Sequence, residues 1–386
     1  MNRRLFLFFF LVISTAFYIF EKNSMFGLEL LGNIGASKTI CAIIMMVFSL
    51  IALLLSEKPT INDRLSKRYI TLMVYVYVIS VIYSIIFPFD SLNIYLLIIL
   101  PAVLYSFSNR ALHYDTNNNL IIGVMSIIFV LLGYNYFNVY YNNIYYEESY
   151  AYNASYQILY LLPFVLCTKK SYLRVMGLVF AYIVIILSLK RGGFVAIIAA
   201  TAIYLYIKWI IRKRKSLTIW PILLIFITTI GVYYLFDVIY DAFAGSKLFV
   251  RFEDETGSGR VDIYKYFINI IGKSSHTYIL FGHGWRGSVR ASGMGIACHN
   301  DFLEVLFDFG LIGLVLYAMF IVSLIKLCTR LAKVNHEYAP AMGASLAMFL
   351  VNSMVSSIIT IPAYLIEFSL FWGFINSSNR NVSNNI

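Results

Sequence analysis

The sequence predicts an all-α protein: a polytopic membrane helix bundle of about twelve transmembrane helices with one large external loop. Three observations predict it. Of 386 residues, 60% are hydrophobic and only 13% are charged, with a mean hydropathy of +0.78; a soluble domain carries roughly 25% charged residues. That much apolar surface exceeds what one water-soluble core can bury, since such cores stop growing at about 250–300 residues. The charges are also gathered in short runs between apolar stretches of about 17–25 residues, the length that crosses a hydrocarbon core of about 30 Å.

In chain order, the expected spans are 4–20, 39–56, 69–87, 91–107, 120–140, 155–167, 175–189, 194–210, 217–236, 301–325, 340–359 and 362–376. The first has the basic start and apolar run of a signal peptide. No small-x-small cleavage site closes it and further spans follow, so it is expected to be a retained helix. Arg3-Arg4 only faintly resembles a twin-arginine signal, which serves exported soluble proteins. With the N-terminus inside, the connections 57–68, 168–174, 212–216 and 326–333 are cytoplasmic. This places 19 of the 30 Lys and Arg inside, against four (Lys22, Lys38, Lys190 and Arg191) in short outer loops. Basic residues are retained on the cytoplasmic side, so both termini are expected there. The chain divides into helices one to nine (1–236), a long external loop (237–300), and helices ten to twelve with a cytoplasmic tail (301–386).

Some classes fall away at this stage. The net charge of +11 could suggest nucleic acid, but the basic residues sit between hydrophobic spans, as cytoplasmic loops do. No C-x-x-C pair suggests zinc or redox chemistry, and no disulfide framework is readable. No repeat at a fixed period is visible, which counts against inverted-repeat transporters. The outer segment 141–155 is dense in Tyr and Asn, a composition suited both to the interfacial belt and to sugar contacts.

Three constellations could carry chemistry. The first is SLKRGG (188–193), expected as a tight outer turn in which Gly192 and Gly193 let a substrate approach the backbone. Arg191 would there present a planar fork of donors to phosphate oxygens; the bland alternative is interfacial anchoring. The second begins with GSGRVDIYKYF (257–267). Arg260 opens a segment with Val261, Tyr264, Phe267, Ile268 and Ile271 at helical spacing, an amphipathic helix suited to the membrane surface. Arg260 falls in its first turn, where free N–H groups favour anions. LFGHGWRGSVR (280–290) follows, a Gly-punctuated turn with His283, Arg286 and Arg290. The third is CHNDFLEVLFDFGLIG (298–313). His299 precedes a span that Asn300 or Asp301 can cap. Asp301, Glu304 and Asp308 follow on one helical face, where intramembrane acids turn inward or line a watery cavity. First-turn dipole compensation is the competing explanation for Asp301 and Glu304, while Asp308 is deep enough to pair with an arginine.

Taken in order, SLKRGG, GSGR, LFGHG and HNDFLEVLFDFGLIG resemble the O-antigen polymerase and O-antigen ligase superfamily, the Wzy-type polysaccharide polymerases and their lipopolysaccharide ligase relatives. The likeness covers about 188–313; the rest of the chain is similar in hydropathy and span count. Lys190 departs from the Ser-Arg-Gly that relatives often show. The resemblance implies a GT-C-like helical membrane fold in the bacterial inner membrane with an external active site. It implies a glycosyltransferase, independent of metal or other cofactor, acting on undecaprenyl-pyrophosphate-linked oligosaccharides. A chain-length regulator and a flippase would be partners; nucleic acid would not. His299 is expected as the base that activates the acceptor hydroxyl. Arg191 is the expected main pyrophosphate contact, with Lys190, Arg260, Arg286, Arg290, Glu304 and Asp308 as further substrate-binding residues. Polymerisation of repeat units is the leading expectation, ligation to a lipid A-core the nearest alternative. A lipid-linked oligosaccharide flippase is the alternative from another class, and it would place cations along a central cavity.

Overall fold

The structure, a computed structural model, describes residues 43–44, 46–47, 64–85, 93–111, 118–143, 154–188, 190–213, 221, 260–293 and 295–383. Among them are twelve helices and no strand. They are α1 (Arg64–Ser84), α2 (Asn93–Ala111), α3 (Asn118–Asn143), α4 (Ala154–Leu166), α5 (Ser171–Leu187), α6 (Arg191–Lys213), α7 (Arg260–Lys273), α8 (His276–Phe281), α9 (Gly287–Ala291), α10 (Asp301–Lys333), α11 (Ala339–Val355) and α12 (Pro362–Ser383). Nine correspond to expected spans: α1 to α6 and α10 to α12. The expected spans 4–20 and 217–236, most of 39–56, and most of the Tyr- and Asn-rich segment 141–155 lie outside the described residues.

Four of the described helices are long and apolar enough to cross a membrane, within Arg64–Ser84, Asn119–Phe137, Gly192–Lys213 and Asp301–Lys333. Their outer faces are apolar at helical spacing, as with Val74, Val78 and Ile82 on α1 and Leu311, Val315, Met319 and Val322 on α10. The polar residues are inside instead: Ser80, Asn109, Gln157, Ser345, Asn352, Glu367 and Asn376 are all buried. Hydrocarbon solvent demands this inversion, because lipid solvates Val and Ile well and leaves amides and hydroxyls to pair between helices. The protein is a helical membrane protein.

Helices α2 and α12 pack extensively, as do α6 and α11, with α1 against α10 and α4 against α5, α11 and α12. The centre is aromatic. Tyr69 stacks on Phe320 with centroids 4.8 Å apart, and Phe368 stacks on Trp372 at 5.1 Å. Tyr69 Oη hydrogen-bonds Ser369 Oγ at 2.5 Å, so the rigid core also satisfies its polar tips.

Helix α10 is longer than the expected span 301–325 and is broken near its start. Gly310 has φ 67° and ψ −171°, outside the helical region, a backbone setting that suits glycine. A break of this kind frees carbonyls that lipid cannot satisfy. Here Phe307 O accepts from His283 N (2.9 Å), Asp308 O from Gly284 N (2.7 Å), and Phe309 O from Tyr75 Oη (2.9 Å). The LFGHG segment is therefore the partner that completes the broken helix. Gly282 and Gly310 face each other across this joint: a Cβ on either would strike the other strand's backbone.

Candidate functional site

The fold brings three of the sequence constellations to one end of helix α11. Gly192, in the first turn of α6, packs so closely on α11 that a Cβ there would stand 2.8 Å from a Val355 methyl and 3.1 Å from Tyr156 Oη. Asn300 Nδ2 donates to Met354 O (3.1 Å), and Tyr264 Oη donates to His299 O (3.3 Å). Neighbouring residues at the C-terminal end of α11 thus receive the start of α6, the start of α10 and the first turns of α7. Arg191 and Arg260 are the opening residues of α6 and α7 and so stand at helix N-termini, where unpaired N–H groups and the helix dipole favour anions.

The SLKRGG segment is built differently from the turn expected of it. Ser188 closes α5, and both glycines lie inside α6, with Phe194 N bonded to Lys190 O at 3.0 Å. Gly192 provides close contact between helices, a packing role that its lack of a side chain allows. Lys190 is half-buried in the connection itself.

His299 is exposed and has a positive φ of 52°, in the left-handed region that costs a non-glycine residue about 1 kcal/mol or more. The neighbours on either side hold it there. Cys298 is fully buried against Phe267 and Phe307, and burial pushes its thiol pKa up. Asn300 caps α10 by accepting from Leu303 N (3.1 Å). The chain is pinned on both sides of an outward-facing imidazole.

The acids of α10 are buried, as expected, but most are occupied. Asp301 Oδ1 accepts from Ile358 N (2.7 Å) and Ile359 N (3.1 Å), and Oδ2 accepts from Tyr317 Oη (3.0 Å). Glu304 accepts from Ser357 Oγ and from Thr360 Oγ1 (2.8 Å). These two carboxylates hold the non-helical 356–361 connection, which would otherwise bury unpaired polar groups. Asp308 Oδ1 accepts from Ser288 N (2.7 Å), while Oδ2 has no hydrogen-bond partner among the described residues. Its charged neighbours are Glu304 first and then Arg290, though no ion pair forms between Asp308 and Arg290 among the described residues.

The two arginines of 280–290 also differ. Arg290 donates through Nη1 to Trp285 O (2.5 Å) and through Nη2 to His283 O (2.8 Å), stapling its own loop. Arg286 is exposed, has φ 54°, and its guanidinium makes no hydrogen bond among the described residues. His283 lies between Tyr278 and Phe307, with ring centroids at 4.3 and 4.4 Å and nearly parallel planes. Burial, then the Arg290 charge, lowers its pKa, so the ring stays neutral. Helix α7 begins at Arg260 as expected, but its buried face is Ile263, Phe267, Ile270 and Ile271. Ile268 is exposed. The face seats on α10 and Cys298, so protein covers what was expected to rest on the membrane surface.

Asn352 went unremarked in the sequence. It is fully buried on α11, neither amide atom has a hydrogen-bond partner among the described residues, and its Oδ1 is 3.8 Å from where a Gly192 Cβ would be. The available signal was a lone amide inside an apolar span, which is a functional candidate by default.

A helical membrane bundle with an anion-favouring, histidine-bearing end is the class of protein that this arrangement defines. Residues 176–318 match the family model described as O-antigen ligase. That segment contains α6, α7, the LFGHG joint, His299 and the break in α10, and the match supports placing the chain in the O-antigen polymerase and ligase superfamily read from the motifs. It supports a polymerase- or ligase-type function in surface-glycan assembly. No curated protein matches the chain.

Proposed function

We propose that this protein is a polysaccharide polymerase that joins undecaprenyl-pyrophosphate-linked oligosaccharide repeat units at the outer face of the bacterial inner membrane. The observation that carries the reading is the convergence of the starts of α6 and α7 with exposed His299 at one end of α11. Arg191, at the N-terminus of α6, is the main contact to the donor pyrophosphate; Lys190, Arg260 and Arg286 add charge, and Asn352 offers a buried amide beside the same helix end. His299 takes the proton from an acceptor sugar hydroxyl. That oxygen forms a bond to the donor's anomeric carbon as the bond from this carbon to the pyrophosphate oxygen breaks. The electron pair leaves with the pyrophosphate, whose developing charge the cations stabilise.

The occupied oxygens of Asp301 and Glu304 make them positioning groups in this scheme. Asp308, with Ser288 N, anchors the 286–290 segment, and Arg290 shapes that segment from within. The excess of basic residues in the short connections on the other side supports an external site.

Ligation of finished glycan to a lipid A-core is a second reading, favoured by the description of the matching family. Glycan analysis of a deletion strain separates the two. A polymerase defect leaves surface lipid capped by single repeat units, whereas a ligase defect leaves long polymer on undecaprenyl pyrophosphate. Unchanged surface glycan would refute both.

A further inference from the structure

At the opposite end of α10, the fold builds a second cationic site. Helix α10 runs from Asp301 to Lys333, and beyond the break at Gly310 a rise of 1.5 Å per residue puts Lys326 about 24 Å further along, most of the way across a bilayer core. There a cavity of about 290 Å³ is lined by Arg64, Arg68, Lys326, Arg330, Ser323 and Asn376, together with two leucines. The four cations come as two pairs spaced i, i+4, one from the start of α1 and one from the end of α10. Each pair occupies one helical face, and the two faces meet across the cavity.

Four like charges lining one cavity repel one another. Among the described residues no carboxylate lines it, and the ion pair formed is Lys265 with Asp262, on α7. Arg68 is already oriented, since its Nη1 donates to Met319 O (3.1 Å) and Ser323 Oγ (2.9 Å). That leaves the rest of a fixed guanidinium fork for a ligand, a geometry suited to phosphate oxygens. Beside the cavity, Met319, Val322 and Ile325 of α10 are exposed apolar side chains. They continue the charged cavity into a surface that acyl chains can cover.

We infer that this cavity is a phosphate-binding site, separate from the His299 end, and that it takes the headgroup of an anionic phospholipid with its acyl chains along α10. Paired cations neutralise the phosphodiester, and the occupied site fastens α1 to α10. Basic pockets between membrane helices are suited to such headgroups.

The test uses the full chain in phosphatidylcholine nanodiscs, with phosphatidylglycerol titrated in one arm and inorganic phosphate in the other. Retained lipid is read by native mass spectrometry and the melting temperature is followed in parallel. Wild type should keep phosphatidylglycerol and melt higher. The variant Arg64→Gln/Lys326→Gln/Arg330→Gln should bind it about a hundredfold more weakly, the order expected when three cations near an anionic headgroup are lost. The charge-matched control Lys169→Gln/Lys213→Gln/Lys333→Gln should bind like wild type. If the triple variant does not fold, Lys326→Gln alone, at an exposed position, should show a smaller loss in the same direction. Stabilisation by inorganic phosphate alone, abolished by the same variant, would support the phosphate site and replace the lipid with a soluble anion. Equal losses in variant and control, or no binding in either arm, would overturn the inference.

Discussion

Two histidines of the segment 280–300 have opposite surroundings. His283 is clamped between Tyr278 and Phe307, and its own backbone N–H completes the broken helix at Phe307 O. His299 is exposed, held by buried Cys298 on one side and the Asn300 cap on the other. The arginines repeat the contrast. Arg290 spends its donors on two carbonyls of its own loop, while the Arg286 guanidinium is exposed and makes no hydrogen bond among the described residues. In both cases a motif-borne cation or imidazole is either a component of the scaffold or a group exposed at the surface. What separates them is whether a neighbouring break in the backbone needs their donors.

The sharpest test of this division is the pair of histidine variants. In purified protein supplied with lipid-linked repeat units, His299→Ala should lose roughly 10²–10⁴ of the turnover rate, the usual general-base contribution, with donor binding and melting temperature kept. His283→Ala should instead lower the melting temperature, with activity falling in proportion to folded protein. Full activity in His299→Ala together with a dead but folded Glu304→Gln would move the base to the carboxylate. Next in size is Arg191→Lys, which keeps the charge and loses the fork. A drop of about 10²–10³ in rate at normal protein level is expected, the range for losing one charge-stabilising donor. Near-normal polymer length in Arg191→Ala would leave that residue as an interfacial anchor.

Smaller effects refine the comparison of the arginines. Arg290→Gln removes two charge-assisted bonds within the loop and should destabilise the protein by about 2–4 kcal/mol. Arg286→Gln should leave stability within about 0.5 kcal/mol, as surface substitutions do, and weaken donor binding. The reverse pattern in thermal melts and binding would exchange their roles. The smallest effect is a pH dependence. His283 has a lowered pKa in the folded state, so the unfolded chain binds more protons as pH falls below about 6.5. Its contribution is present above that value and is lost as pH falls toward the folded pKa. His283→Gln should flatten this acid limb of the melting curve.

Membrane character, helical class and the approximate position of nine described helices were legible in the sequence, because lipid imposes a length and an apolar composition on each span independently of its neighbours. The motif order from SLKRGG to FGLIG was legible too, as was the start of α7 at Arg260. What each motif does depended on contacts between distant segments. Nothing local in FGLIG says that α10 breaks at Gly310, or that the carbonyls freed there belong to LFGHG and Tyr75. Gly192 reads as a turn residue until Val355 and Tyr156 are seen against it, and the acids of α10 read as a substrate-facing row until residues 357–360 occupy two of them. Asn352 is one amide in an apolar span until the start of α6 lies beside it. The sequence by itself determined where the chain could cross lipid, since burial in hydrocarbon is decided segment by segment. Only the tertiary structure decided which polar groups satisfy the scaffold and which are presented outward, since a hydrogen bond in a low-dielectric interior needs two partners that hydropathy cannot pair.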